Sequence, residues 1–223
     1  MRWRAIPHTD TLLAQWQALG ESLDRDTPHW RLEGQRLLRS WVRWPRAYHD
    51  TTHLHACLHH WHALQSTEPY AMVQPQAVAL ALWFHDVIYW PWSAHNEERS
   101  ADWAVQFMHR QGLSEHLADP VRQYILDTRH HENTQAVGDS AWVQDIDLAI
   151  LGQSPAVYQQ FENNVRREYG FVPRKRFQAG RSAVLQSFLK RSRIYATPLF
   201  YQRYEAQARS NIEQALHALQ AAN

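Results

Sequence analysis

The sequence predicts an all-α fold, a single domain over residues 1–223, on three observations. Seven glycines in 223 residues is about half the usual share, while Ala, Leu, Gln and Arg are abundant, and that composition favours helix over sheet. Capping residues, glycines and prolines recur as helix punctuation along the whole chain. Strictly alternating apolar and polar segments, internal repeats and low-complexity linkers are all missing.

The elements follow in order. Thr9 or Asp10 caps a first helix through "TLLAQWQALG", with Gly20 just past its end. "WRLEGQRLLRSWVRW" carries Trp30, Leu37, Leu38, Trp41 and Val42 at helical spacing until Pro45 stops it. A third helix spans residues 51–65, and Pro75 is the first residue of a fourth that runs to about Ile88. Asn96 opens "EERSADWAVQFMHR", which Gly112 ends. Asp119-Pro120 reads as a cap and first residue for "VRQYILDTRHH". Asp139 caps "SAWVQDIDLAIL", closed by Gly152, and Ser154-Pro155 opens a helix reaching Tyr169-Gly170. "RFQAGRSAVLQSFLKR", weakened by Gly180, and "PLFYQRYEAQARSNIEQALHAL" complete the set.

Bulk properties exclude several classes. Charges balance, 23 Lys+Arg against 22 Asp+Glu, so the chain has no field that would favour nucleic acid. Cys57 is the single cysteine, which rules out an internal disulfide and fits a reducing compartment. No apolar leader core opens the chain and no stretch approaches a membrane span, so a soluble, cytoplasmic protein with no membrane partner is expected. Fifteen His and eleven Trp exceed ordinary usage, and the histidines point toward metal or proton chemistry. Exposed tryptophans or the long C-terminal helix would support a homodimer.

Residues 79–92, "ALALWFHDVIYWPW", place His85 and Asp86 near the end of a helix that is apolar on nearly every side. A buried, unpaired carboxylate is costly or shifts its pKa upward, so Asp86 calls for an ion pair or a metal. A core imidazole bonded to a carbonyl, with Asp86 capping a neighbouring helix, is the plain alternative. The pair has company, however. "YHDTTH" places His53 at a helix start, and "VQDIDLAILG" sets Asp145 and Asp147 in a largely apolar helix. Those two aspartates lie about 200° apart around a helix and cannot both enter one site. With Trp142, Val143, Ile146 and Ile150 on the buried arc, Asp147 falls near its edge and Asp145 further off, leaving Asp145 a supporting or capping role.

The motifs "YHDTTH" (48–53), "WFHDVIY" (83–89), "NEERSA" (96–101), "TRHH" (128–131) and "DIDLAILG" (145–152) together resemble the HD superfamily of metal-dependent phosphohydrolases. The likeness is to a bacterial subfamily of predicted HD-type hydrolases with the pattern YHxxxH, WFHDxxY, NExxSA, TxHH, DxDLxxLG. It continues through "VRREY", "AGRSAVLQSFLKR" and "EAQARSNI" and so covers most of the chain. The resemblance implies an HD-type helical bundle that binds one divalent metal, or two, through His53, His85, Asp86 and either Asp145 or Asp147, with Asp147 preferred. Such a His/Asp set suits Mn, Fe, Co, Ni, Zn or Mg.

Further roles follow from the same resemblance. Asp86, Glu97 and His130 form the expected catalytic group. Glu97 positions the attacking water, and one of His130 and His131, with His130 preferred, ligates a second metal or bonds substrate. For both the ordinary reading is a favourable charge at a helix end. His49 stands on the substrate side, and Arg166 and Arg181 grip a phosphate. His55, His59, His60 and His62 are expected to form a solvated face. Trp83, Trp90, Trp92 and Trp103 are expected in the core and pocket wall. The implied activity is hydrolysis of a nucleotide or another small phosphate ester by metal-activated water. The rivals are a di-iron HD-type oxygenase and a non-catalytic nucleotide-binding module.

Overall fold

A computed structural model describes residues 7–68, 71–129 and 137–221, and among them there are helices and connecting turns but no strand. The helices are α1 (Thr9–Ser22), α2 (Pro28–Trp41), α3 (Thr51–Thr67), α4 (Pro75–Phe84), α5 (Asn96–Arg110), α6 (Glu115–Asp127), α7 (Asp139–Asp147), α8 (Pro155–Glu168), α9 (Arg174–Lys190) and α10 (Pro198–Ala221). A 3-10 turn at Leu148–Gly152 continues α7. The all-α expectation therefore holds. None of these helices is long and apolar enough to cross a membrane.

α4 is the axis of the molecule. Every residue from Ala77 to Phe84 is buried, because α1, α3, α5, α6 and α7 all pack on it. An all-round apolar helix has no solvent face to offer, so this burial is the arrangement its sequence requires. α10 lies across the 3-10 turn, α8 and α9 and closes the other side. One continuous core joins α1 and α2 to α10.

α1 and α2 are locked by a reciprocal pair of tryptophans. Trp16 Nε1 donates to the Trp30 carbonyl at 2.7 Å, and Trp30 Nε1 donates to the Trp16 carbonyl at 2.8 Å. The rings stack with centroids 4.5 Å apart. Gly20 and Gly34 permit this contact, since a Cβ on Gly20 would stand 2.6 Å from Trp30 Nε1 and one on Gly34 2.4 Å from Trp16 Cδ1.

Several boundaries differ from expectation. Gly20 lies inside α1, held there by the Trp30 ring rather than ending the helix. α2 stops at Trp41, short of Pro45, and α4 at Phe84, short of the expected end near Ile88. α6 starts at Glu115 and runs through Pro120, because Ala118 and Val121 are core residues on the same face. Asp139 heads α7, yet its carboxylate accepts from the Val73 and Gln74 amides at 2.9 and 2.6 Å, fastening the approach to α4.

Candidate metal centre

α3 and α4 bring the first two donors together. Asp50 caps α3 by accepting from the amides of Thr52 (2.8 Å) and His53 (3.4 Å), which sets His53 in the first turn. α4 ends at Phe84, so His85 is its C-terminal flanking residue. His85 Nδ1 bonds the Leu82 carbonyl at 2.9 Å, and in the neutral ring this leaves Nε2 unprotonated. That nitrogen faces His53 Nε2 at 3.2 Å.

Two carboxylates complete the group. Asp147 Oδ1 lies 3.1 Å from His53 Nε2 and 3.5 Å from His85 Nε2. Asp86 Oδ2 lies 3.9 and 3.5 Å from the same nitrogens. Nitrogen and oxygen donors that share one divalent ion at about 2.0–2.2 Å stand roughly 3.0–3.5 Å from each other. His53, His85 and Asp147 lie within that range of one another, so their spacing fits one ion, with Asp86 in range of His85 alone. Burial disfavours charging His85, but Asp86 and then Asp147 outweigh it and lift its pKa to about 9.

Cys57, one turn after His53, enters the same group with Sγ 3.7 Å from His53 Nε2. Burial, then the nearby Asp147 and Asp86, pushes its thiol pKa well up. The buried set His53, Cys57, His85 and Asp147 is thus a geometry able to hold a metal ion.

Asp145 and Asp147 separate as the helix geometry requires. Asp145 is the more buried of the two, contrary to the arc drawn from the sequence. It faces away from the cluster and accepts from the Ala196 amide (2.8 Å) and from the amide and hydroxyl of Thr197 (2.7 and 2.6 Å). It thereby fastens the approach to α10, and burial raises its pKa to about 6 against those three donors.

The shell around the cluster is largely one that sequence reasoning passed over. Arg46 donates to the carbonyls of His49 (2.6 Å), Asp86 (2.7 Å) and Val87 (3.1 Å), tying the start of α3 to the turn after α4. Burial lowers its pKa to about 10, which leaves it charged at neutral pH. Glu168 Oε1 accepts from the amides of Ala47, Tyr48 and His49. Its Oε2 takes His49 Nδ1 at 2.7 Å and the Tyr89 hydroxyl at 2.9 Å. Within "NEERSA", Asn96 exchanges bonds with both backbone groups of Trp90, and the Ser100 hydroxyl accepts from the Ile88 amide, so this motif clamps the loop after His85 and Asp86.

The other expected site residues divide. His49 lies beside the cluster, with its ring centroid 6.0 Å from that of His53. Burial opposes charging His49, but Glu168 prevails and raises its pKa. Glu97 is half-buried, and its carboxyl is held above the ordinary range by burial and then by Asp86. Arg181 is committed elsewhere, to a two-pronged pair with Glu162 at 3.0 and 2.7 Å. Arg166 bonds the carbonyls of Tyr169 and Val172, closing the end of α8. Neither arginine lines the cavity at the cluster, so the phosphate-gripping role assigned to them is not supported by their placement. His130 and His131 lie outside the described residues.

The cluster opens on a groove of about 560 Å³ lined by α3, the α7 end, α8 and α10. His59 and His60 line it, so the expectation of a purely solvated histidine face is corrected, because Tyr204 and Phe200 of α10 pack against His60. Trp83 is buried as expected, whereas Trp92 is 56 % exposed and forms no pocket wall there. No family model, curated protein or solved structure matches this chain.

Proposed function

We propose that this chain is a metal-dependent phosphohydrolase of the HD type acting on a nucleotide or another small phosphate ester. What carries the reading is the convergence of His53, His85, Asp86 and Asp147, from three separate parts of the chain, at the end of a groove of ligand size. Two imidazoles and two carboxylates are the donor set for a borderline divalent ion and leave it near neutral overall. When bound, such an ion polarises a phosphoryl oxygen and makes water acidic enough to attack it.

The protein's own groups supply the rest. Glu97 sits near Asp86 with a pKa above the usual carboxylate range, which suits it to take a proton from the attacking water. His49, held by Glu168 through Nδ1 and lying beside His53, steadies the developing negative charge. Arg46 holds the backbone on both sides of this assembly and fixes the relative placement of His53 and Asp86.

The test begins with metal content per chain, by elemental mass spectrometry on protein prepared without nickel. It continues with a phosphate-release screen of wild type, Asp86→Ala and Asp147→Ala. About one ion per chain, with metal and phosphate release lost together in both variants, is the expected result. Tight nucleotide binding without turnover at any metal would make the chain a binding module. Failure to take up metal at all would end the reading.

A further inference from the structure

The groove has two unlike ends. Asp147 and His53 lie at one, and Arg203, His59 and His60 line the other, with Ile146, Ile150, Val157 and Phe161 among the apolar side chains that complete its lining. His53 and His60 are separated by seven residues on α3, about 10 Å along the axis at 1.5 Å per residue, and both face the groove. The metal-side end accepts an anion only once an ion offsets its carboxylates. The far end carries its own positive charge, since no carboxylate pairs with Arg203 among the described residues. The Arg203 guanidinium lies 5.2 Å from the Tyr204 ring centroid, and His60 packs on the edge of the same ring. Burial, followed by His59 and Arg203, lowers the His60 pKa to about 4, so at neutral pH His60 offers a neutral N–H beside the arginine charge.

We infer that Arg203 and His60 form a second anion subsite, so that the substrate carries an anionic group at each end of an apolar or planar body about 10 Å long. This deepens the hydrolase reading and rests on it for which end reacts. A single-headed phosphate ester would fill the metal end and leave the arginine hydrated, whereas a two-headed one would satisfy both ends and cover the apolar floor. Nucleotides with phosphates at separate positions and bisphosphorylated metabolites belong to this class; simple alkyl or aryl monophosphates do not.

Binding of two non-hydrolysable probes, hexanediphosphonate and hexylphosphonate, decides the matter by calorimetry in manganese-containing buffer. Wild type should prefer the two-headed probe by about tenfold or more, beyond the statistical advantage of two equivalent ends, as one charge-assisted contact warrants. Arg203→Ala should bring that ratio close to the statistical value, and Arg203→Lys, which keeps the charge, should restore part of it. A wild-type ratio no greater than statistical, or a ratio unchanged in Arg203→Ala, overturns the subsite. Turnover of hexanediol bisphosphate and of hexyl phosphate is followed separately. An Arg203-dependent preference without hydrolysis of either ester removes the hydrolase reading and leaves the subsite standing.

Discussion

His53 Nε2 and His85 Nε2 face each other at 3.2 Å across the junction of α3 and α4. In the metal-free protein one proton between them is favourable, because Asp86 and Asp147 lift the His85 pKa to about 9 despite its burial. An ion must displace that proton. Metal binding near pH 7 should therefore release about one proton per ion, and apparent affinity should climb up to tenfold per pH unit until about pH 9. Calorimetry in buffers of different ionisation enthalpy measures the proton directly. At a hundredfold excess over Kd the ion should add about 2.7 kcal/mol of stability, which a chelator removes. Binding with no proton release would show that His85 is already neutral without metal.

Asp86 and Cys57 compete for the fourth position beside His53, His85 and Asp147. Burial and the neighbouring carboxylates make the Cys57 thiolate costly, whereas a carboxylate is ionised without help. Asp86 should therefore be the ligand, with Cys57 filling the space behind His53. Cobalt substitution separates the two outcomes. The expected spectrum contains weak ligand-field bands only, and Cys57→Ala leaves it unchanged. An intense near-ultraviolet sulfur-to-cobalt band that vanishes in Cys57→Ala would put the thiolate on the metal and Asp86 off it.

The central helix and the candidate residues His53, His85 and Asp86 were legible because each has a local signature. α4 is apolar on all sides, and a carboxylate beside a histidine at the end of such a helix demands a compensating charge. The two-residue spacing of Asp145 and Asp147 declared that only one could enter the cluster, but not which face was the more buried. That depends on the Ala196–Thr197 backbone, which approaches from a distant part of the chain. Arg46 and Glu168 had no local signature at all. Arg46 acts on carbonyls roughly forty residues away, and Glu168 on amides roughly a hundred and twenty residues away. The partners of Arg166 and Arg181 were hidden for the same reason, since periodicity reports that an arginine is present and says nothing of Glu162 or the Val172 carbonyl opposite it.

Glu168 ties the fold to the site and to pH. Burial alone would raise its pKa, but His49 and the Ala47 and Tyr48 amides bring it to about 2, against an ordinary 4.5. A depressed carboxyl contributes stability above its unfolded pKa and loses it as pH falls toward the folded one. Its contribution, about 3 kcal/mol, should thus be intact above pH 5 and vanish between about 4.5 and 2. His49, with a raised pKa, has the opposite dependence, and its share fades as pH rises through that folded pKa. Glu168→Gln should be about 2–3 kcal/mol less stable at pH 7 in urea unfolding, with the gap to wild type roughly halved at pH 3 and nearly closed at pH 2. A gap that stays constant with pH would mean that shape, not charge, is what Glu168 supplies.

Glycine-to-alanine changes inside helices ordinarily stabilise by up to about 1 kcal/mol, and three sites here should divide by sign. At Gly34 the new Cβ would stand 2.4 Å from Trp16 Cδ1, and at Gly20 2.6 Å from Trp30 Nε1. Neither indole can retreat, because each donates its N–H to the other helix's backbone. Overpacking of this kind costs about 1–3 kcal/mol, enough to outweigh the helix gain. Gly180 in α9 has open space around its Cβ position and should show the ordinary gain. Thermal unfolding should therefore lower Tm by several degrees in Gly34→Ala and Gly20→Ala and raise it slightly in Gly180→Ala. A Gly34→Ala protein as stable as wild type would show that α1 and α2 slide apart at little cost. The Trp16–Trp30 exchange would then not be what holds those two helices in register.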